Sequence, residues 1–137
     1  MPHIDAALFQ KRFVSLILRS GDMPKRQIDR HILLLSAALG LEPQRQYTER
    51  EINDQLARWT ARYGHSVNLD HVTLRRYLVD EHYVQRDSAG RAYELTPSDW
   101  PYTYDPSIAA LDLEALAEEG RATREQMKQR YTSPSEG

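Results

Sequence analysis

Tyr47-Thr48-Glu49-Arg50-Glu51-Ile52-Asn53, continued by Leu56, Trp59 and Tyr63, is the stretch that decides how this chain reads. Thr48 and Glu51 have the spacing of a capping box. The threonine hydroxyl accepts from the backbone N–H at position 51, and the glutamate carboxylate reaches back to the N–H at position 48. Ile52, Leu56, Trp59 and Tyr63 follow at steps of four, three and four, which lines them up on one stripe of a helix with about 3.6 residues per turn. The pattern predicts a helix over 48–63. Gly64 reads as its stop, because glycine enters the left-handed region without a Cβ penalty, and Ser66 or Asn68 as the N-cap of the helix after it.

That next helix is predicted over 69–81, with Leu74 and Leu78 inward and Tyr77 at the edge of the same face. Counting about 100° per residue from Leu74, the positions turned away from the core are Val72, Thr73, Arg76 and Asp80, with Arg75 and Val79 on the flank. The period then changes from helical to extended. Tyr83-Val84-Gln85-Arg86 and Ala92-Tyr93-Glu94-Leu95 flank the polar turn Asp87-Ser88-Ala89-Gly90, which predicts a hairpin over 83–95. Helix, turn, helix, hairpin is the order of a winged helix-turn-helix, a mainly α fold with a small β-hairpin in the α+β class. In that fold the second helix reads base edges and the hairpin reaches phosphates. Val72, Thr73, Arg75 and Arg76 are therefore candidate base readers, Arg86 and Arg91 candidate phosphate contacts, and Arg45, just ahead of the first helix, a candidate contact to a duplex backbone.

The same residues carry a resemblance. Tyr47-Thr48-Glu49-Arg50-Glu51-Ile52-Asn53, then Thr73-Leu74-Arg75-Arg76-Tyr77-Leu78-Val79-Asp80, then Val84-Gln85-Arg86-Asp87 resemble a family of small bacterial domains of unassigned function. Its members share the pattern Y-T-E-R-E-x-N followed by T-L-R-R-x-L-V-D, and some are fused to repressors of the arsenical-resistance type. The resemblance covers about residues 24–95. It implies a winged-helix fold and a place in bacterial transcription control, and it supplies no ligand, operator or catalytic residue. The chain departs from the family pattern in two places: the segment 57–68 is longer, and His82-Tyr83 stands where a glycine-leucine pair is usual.

Composition bounds the alternatives. At 137 residues the chain can bury a core without staples, and its lack of cysteine removes disulfides and thiolate metal sites. The apolar run Ile32-Leu33-Leu34-Leu35, which no other exceeds in length, falls far short of the roughly 18 residues a membrane span needs. Asp5 interrupts the N-terminal segment and no small-residue cleavage site follows Leu18, so no signal peptide is read and the expected compartment is the cytoplasm. Residues 21–96 carry eleven basic and eleven acidic side chains, so DNA binding requires those charges to segregate onto one face. Residues 97–137 are acidic, with a net charge of minus four.

Outside the domain over 21–96, which opens with a helix over 24–39, three pieces are expected. Residues 1–20 hold a helix over 4–19 whose apolar face, Leu8, Phe9, Phe13, Leu16 and Ile17, is wider than one neighbour readily covers. It is read as the main homodimer interface, to which the C-terminal helix can add, with packing on the same chain against the helix over 24–39 and Trp100 as the alternative. Residues 97–110 form an aromatic and proline-punctuated connector without regular elements. Residues 111–137 hold a helix over 111–130 and a polar tail.

Other readings stay open for the candidate sites. Arg75 and Arg76 suit base or phosphate contact, and they equally suit surface pairs with Asp80 or Glu81. His65, His71 and His82 lack the spacing of a helical metal pair, and no metal or other cofactor is assigned. No serine lies in a nucleophile elbow and no glycine-rich loop precedes a helix, so a catalytic role is not expected. The expected partners are double-stranded DNA and a second copy of the chain. The alternative function is a noncatalytic module that docks on protein.

Overall fold

The computed structural model describes residues 2–19 and 21–132. It is mainly helical with a small antiparallel sheet, the α+β class read from the sequence. Asp5 starts the first helix, its carboxylate accepting from the Leu8 N–H at 2.7 Å, and α1 spans Ala6–Leu18. Ile4, expected to open this helix, instead forms a two-residue strand with His3, β1.

The apolar face of α1 lies inside the molecule. Phe9, Phe13 and Leu16 are fully buried, Ile17 is buried and Leu8 is half-buried. This corrects their reading as a dimer interface, because the same chain covers them. Phe13 stacks on Phe9 with ring centres 5.6 Å apart and meets the Tyr63 ring edge-on at 5.3 Å. A wide stripe needs two covers, and here α2 and the turns around Tyr63 supply them.

Helix α2, Gln27–Ala38, is the central element, with every residue from His31 to Ala38 buried. It begins three residues later than the proline at position 24 suggests. Asp29, nearly enclosed on α2, takes the Arg12 guanidinium of α1 in a two-point pair, Nε to Oδ1 at 2.9 Å and Nη2 to Oδ2 at 3.0 Å. Planar fork-to-carboxylate geometry of this kind fixes helix register as well as charge.

Tyr47–Thr48 form a short strand, β2, that leads straight into α3, Glu49–Trp59. The capping box is made on both sides, Glu51 N–H to Thr48 Oγ1 at 3.1 Å and Thr48 N–H to Glu51 Oε1 at 2.9 Å. Beyond Trp59 the backbone widens into a π-helical turn, Thr60–Gly64, then tightens into a 3-10 turn, His65–Val67. The longer 57–68 segment is absorbed here. Gly64 is not the left-handed stop: its φ is −82°, and Asn68 takes the left-handed conformation at φ 54°. Gly64 is bare for a steric reason, since a Cβ there would sit 2.7 Å from the Leu69 carbonyl oxygen and 3.0 Å from Thr60 Cβ.

Helix α4, His71–Asp80, is capped by Asp70 rather than Ser66 or Asn68, its carboxylate accepting from the Thr73 N–H at 2.7 Å. Leu74 and Leu78 are fully buried. The chain leaves α4 through His82 at φ 68°, a conformation favouring glycine.

Strands β3, Val84–Arg86, and β4, Ala92–Leu95, pair antiparallel, and β2 joins on the other side to give the order β2-β4-β3. The register sets Tyr93 between Tyr47 and Arg86. The connector is more regular than its prolines suggest. It contains 3-10 turns at Pro97–Asp99 and Pro106–Ala110, and between them β5, Thr103–Tyr104, runs parallel to β1.

Helix α5, Leu113–Thr132, starts at Asp112, whose carboxylate accepts from the Ala115 N–H at 3.1 Å. It lies against α1, where Gly120 comes so close that a Cβ would stand 2.5 Å from Val14 Cγ1. Residues 133–137 of the expected polar tail lie outside the described residues. No helix among the described residues is long and apolar enough to cross a membrane.

Candidate nucleic-acid interface

The outer face of α4 presents Val72, which is 42% exposed, with Arg76 and Asp80 also in solvent. Thr73 is half-buried beside them, its N–H taken by the Asp70 cap. That cap holds the Asp70 carboxyl below the usual carboxylate range, the Thr73 N–H being the largest cause. Among the described residues the Arg76 guanidinium has no hydrogen-bond, ion-pair or ring partner.

Arg75 lies on the flank, as the sequence reads it, but its surroundings do not match a base contact. One step of about 100° turns it toward α3, where its Nη1 donates to Asn53 Oδ1 at 2.7 Å and approaches Glu49 Oε1 at 3.4 Å. Its guanidinium also lies 5.4 Å from the centre of the buried Tyr93 ring. Only 20% of the side chain is exposed. Arg75 thus ties α4 to α3 and the sheet, and it is removed from the outward set.

Arg45 is likewise engaged, pairing with Glu42 at 3.3 Å and Glu51 at 3.1 Å while its guanidinium sits 4.4 Å from the Tyr47 ring centre. Two carboxylates answer its single charge and raise its pKa, the Glu51 hydrogen bond most. It braces the capping box, and its reading as a contact to duplex backbone does not match this placement.

The β3–β4 turn is built around Asp87. Its carboxylate accepts from the Arg91 N–H at 2.7 Å and its carbonyl from the Gly90 N–H at 3.0 Å, while Gly90 takes φ 71°. These backbone donors, Arg91 first, hold the Asp87 carboxyl below its usual range and turn its charge toward the loop amides. The Arg86 side chain folds across Gly90, where the missing Cβ leaves room for the guanidinium. Arg86 and Arg91 are exposed and form no ion pair among the described residues.

One residue that reads in the sequence as an ordinary surface charge lies beside the hairpin. Arg50 shares a cleft of about 670 Å³ with Arg91, Gly90, Asn53 and Asp54, between the start of α3 and the hairpin turn. Its position in the first turn of a capped helix beside a predicted hairpin is the available signal. It is ambiguous because Glu49 and Glu51 share that turn.

The histidines separate. His65 and His71 line a cleft with Asn68 and Asp70 at the start of α4, whereas His82 lies beyond its far end. No group of three or more metal-ligating side chains is gathered among the described residues. His31, which the periodicity hides, is 3% exposed and stands behind the interface. Its Nδ1 lies 2.8 Å from the Tyr83 hydroxyl and its Nε2 3.5 Å from Glu81 Oε2. The tautomer that serves both carries its proton on Nε2 and accepts at Nδ1. Tyr102, from the connector, covers the ring at 4.5 Å. Burial lowers the His31 pKa, opposed by the Glu81 charge.

These elements define an α+β chain that presents one exposed helix face and one hairpin carrying two exposed arginines. The chain belongs to the family described as an uncharacterized protein conserved in bacteria (DUF2087), whose model matches residues 20–95. The matched part contains α2 through β4 and leaves α1, the connector and α5 outside. No curated protein and no solved structure matches the chain.

Proposed function

We propose that this chain is a winged-helix DNA-binding protein acting in bacterial transcription control, with α4 as the reading helix and the β3–β4 hairpin as the wing. The proposed role is noncatalytic. The order α2, β2, α3, α4, β3, β4, with the sheet ordered β2-β4-β3, supports the winged-helix reading. The observation that carries the function is the guanidinium of Arg76 at the middle of the exposed α4 face, which among the described residues has no hydrogen-bond, ion-pair or ring partner, with the hairpin arginines Arg86 and Arg91 likewise free of carboxylate partners among those residues. A guanidinium offers two parallel N–H groups to guanine N7 and O6, and an apolar tip such as Val72 suits a thymine methyl. The hairpin arginines suit phosphates, which position a protein without reading sequence.

Salt-titrated binding to genomic DNA fragments, with the recovered fragments sequenced, tests this reading. Enrichment of particular fragments together with a negative slope of log affinity on log salt is the expected result. Binding that is absent at low salt overturns it. A specific observation favours protein docking as the second reading: Arg75 and Arg45 are tied to carboxylates, and charges balance across residues 21–96. Under that reading the same face binds a protein partner with no salt-dependent affinity for DNA.

A further inference from the structure

We propose that the groove between α1 and α5 binds a free aliphatic carboxylate of medium chain length, its head held by Arg19 and Arg124 and its tail laid along Leu18, Val14 and Leu116. The site lies outside the family-matched residues, so the inference stands apart from the DNA reading and is tested without DNA.

Helices α1 and α5 run the same way. Gly120 meets Val14 at the floor of the groove, and one turn farther along the Arg124 guanidinium donates to the Leu18 carbonyl at the end of α1. Outside this contact the pair leaves an open trough of about 710 Å³. Small-molecule sites fall in a range of roughly 300–1,000 Å³. Val14, Leu18 and Leu116 line the trough and are only half-buried, so the two helices do not fully cover them for each other. From Leu18 back to the level of Leu116 is about 12 Å of helix, an apolar track that a straight hydrocarbon tail can follow.

Charge decides the occupant. Lys11, Arg19 and Arg124 line the trough against a single carboxylate, Glu119, in a chain whose net charge is −2. With Gly120 and Val14 taken as level, Glu119 lies about 3 Å along the axes from Lys11 and about 9 Å from Arg19. It answers Lys11 at one end and leaves two guanidinium groups in excess at the other. Among the described residues neither arginine meets a carboxylate: Arg19 donates to the Asp22 carbonyl at 3.2 Å, and Arg124 to that of Leu18. A guanidinium has five N–H groups, so both keep donors for a bound carboxylate, whose charge strengthens each bond. A protein partner suits the trough less, because a stable interface buries about 800 Å² per partner around an apolar core. Three half-buried side chains, with Met127 exposed beyond Arg124, do not supply one.

Isothermal titration calorimetry of the full chain with decanoate, kept below its micellar concentration, reads the site directly. Saturable binding of one decanoate per chain is expected. Butyrate, with the head but little tail, and decanol, with the tail but no charge, should each bind at least tenfold more weakly. Two variants at exposed positions locate the site. Ser15→Trp puts an indole into the trough and should abolish decanoate binding, since Ser15 lines it. Arg19→Glu should weaken decanoate at least tenfold and leave decanol unchanged. Circular dichroism checks that both chains remain folded. Absence of saturable decanoate binding, decanol binding as tight as decanoate, or either folded variant binding decanoate as the wild type does overturns the proposal.

Discussion

Arg75 and Arg76 are neighbours in sequence with opposite surroundings, and substitution should separate them. Arg76→Ala removes a guanidinium with no hydrogen-bond, ion-pair or ring partner among the described residues, so unfolding should be unchanged while affinity for a selected fragment falls by about 1–3 kcal/mol. Arg75→Ala breaks the bond to Asn53 and uncovers the Tyr93 ring. It should lower unfolding free energy in urea by roughly 1–2 kcal/mol, the cost of a charged hydrogen bond lost from a part-buried site. Equal stability of the two variants would show that Arg75 does not brace the helix. The sequence places both arginines on α4 correctly. The count of about 100° per residue also sets Arg75 on the flank and Arg76 in front, but it does not show that the flank is covered, because that depends on how α3 crosses α4.

At the scale of elements, legibility follows local chemistry. The capping box, the stripe from Ile52 to Tyr63, Leu74 with Leu78, and the hairpin are all read from residues close in sequence, and all form. The strand at Tyr47–Thr48 escapes, because two residues carry no alternation and the pairing with β4 is set from 45 residues away. The π-helical turn escapes too: Tyr63 packs on Phe13 and Trp59 there, and the Leu69 carbonyl closes on Gly64, contacts that the local pattern does not show. His82 was visible as an oddity and acquires its meaning from φ 68°. His82→Gly should raise stability by about 1 kcal/mol, since a residue with a Cβ is penalised in the left-handed region, and thermal unfolding of the pair measures it. On the hairpin, Arg86→Ala and Arg91→Ala should weaken binding to all DNA sequences alike. Each should reduce the salt slope by about one unit, as loss of a phosphate contact requires. A loss confined to one sequence would reassign the hairpin to base reading.

For the whole molecule, His31 joins α2, the exit from α4 and the connector in one enclosed site. Its folded pKa is lowered by burial, so below about 6.5 the unfolded chain takes up a proton that the folded chain resists. Stability should therefore decline as pH drops from 7 toward 5. His31→Gln should lack that decline in urea titrations across this range, and identical slopes would place the effect elsewhere. A second decline belongs near and below pH 4, where Glu51, Asp70, Asp87 and Asp105, all lowered by hydrogen bonds, take up protons. At the alkaline end Tyr63, pushed up to about 12 by burial and then by Glu114, favours unfolding above about pH 10, where the exposed phenol ionises first.

The parallel pairing of β1 with β5 sets a timetable for synthesis. His3 emerges from the ribosome a hundred residues ahead of Thr103, with which its ring shares a hydrogen bond. At about 5–20 residues per second, the strand at His3–Ile4 waits roughly 5–20 s for its mate. Throughout that interval the nascent chain can assemble α1 through β4, yet Ile4, fully enclosed in the finished protein, has no strand beside it. The clasp closes last, and release of a polypeptide cut short before position 103 leaves it permanently open.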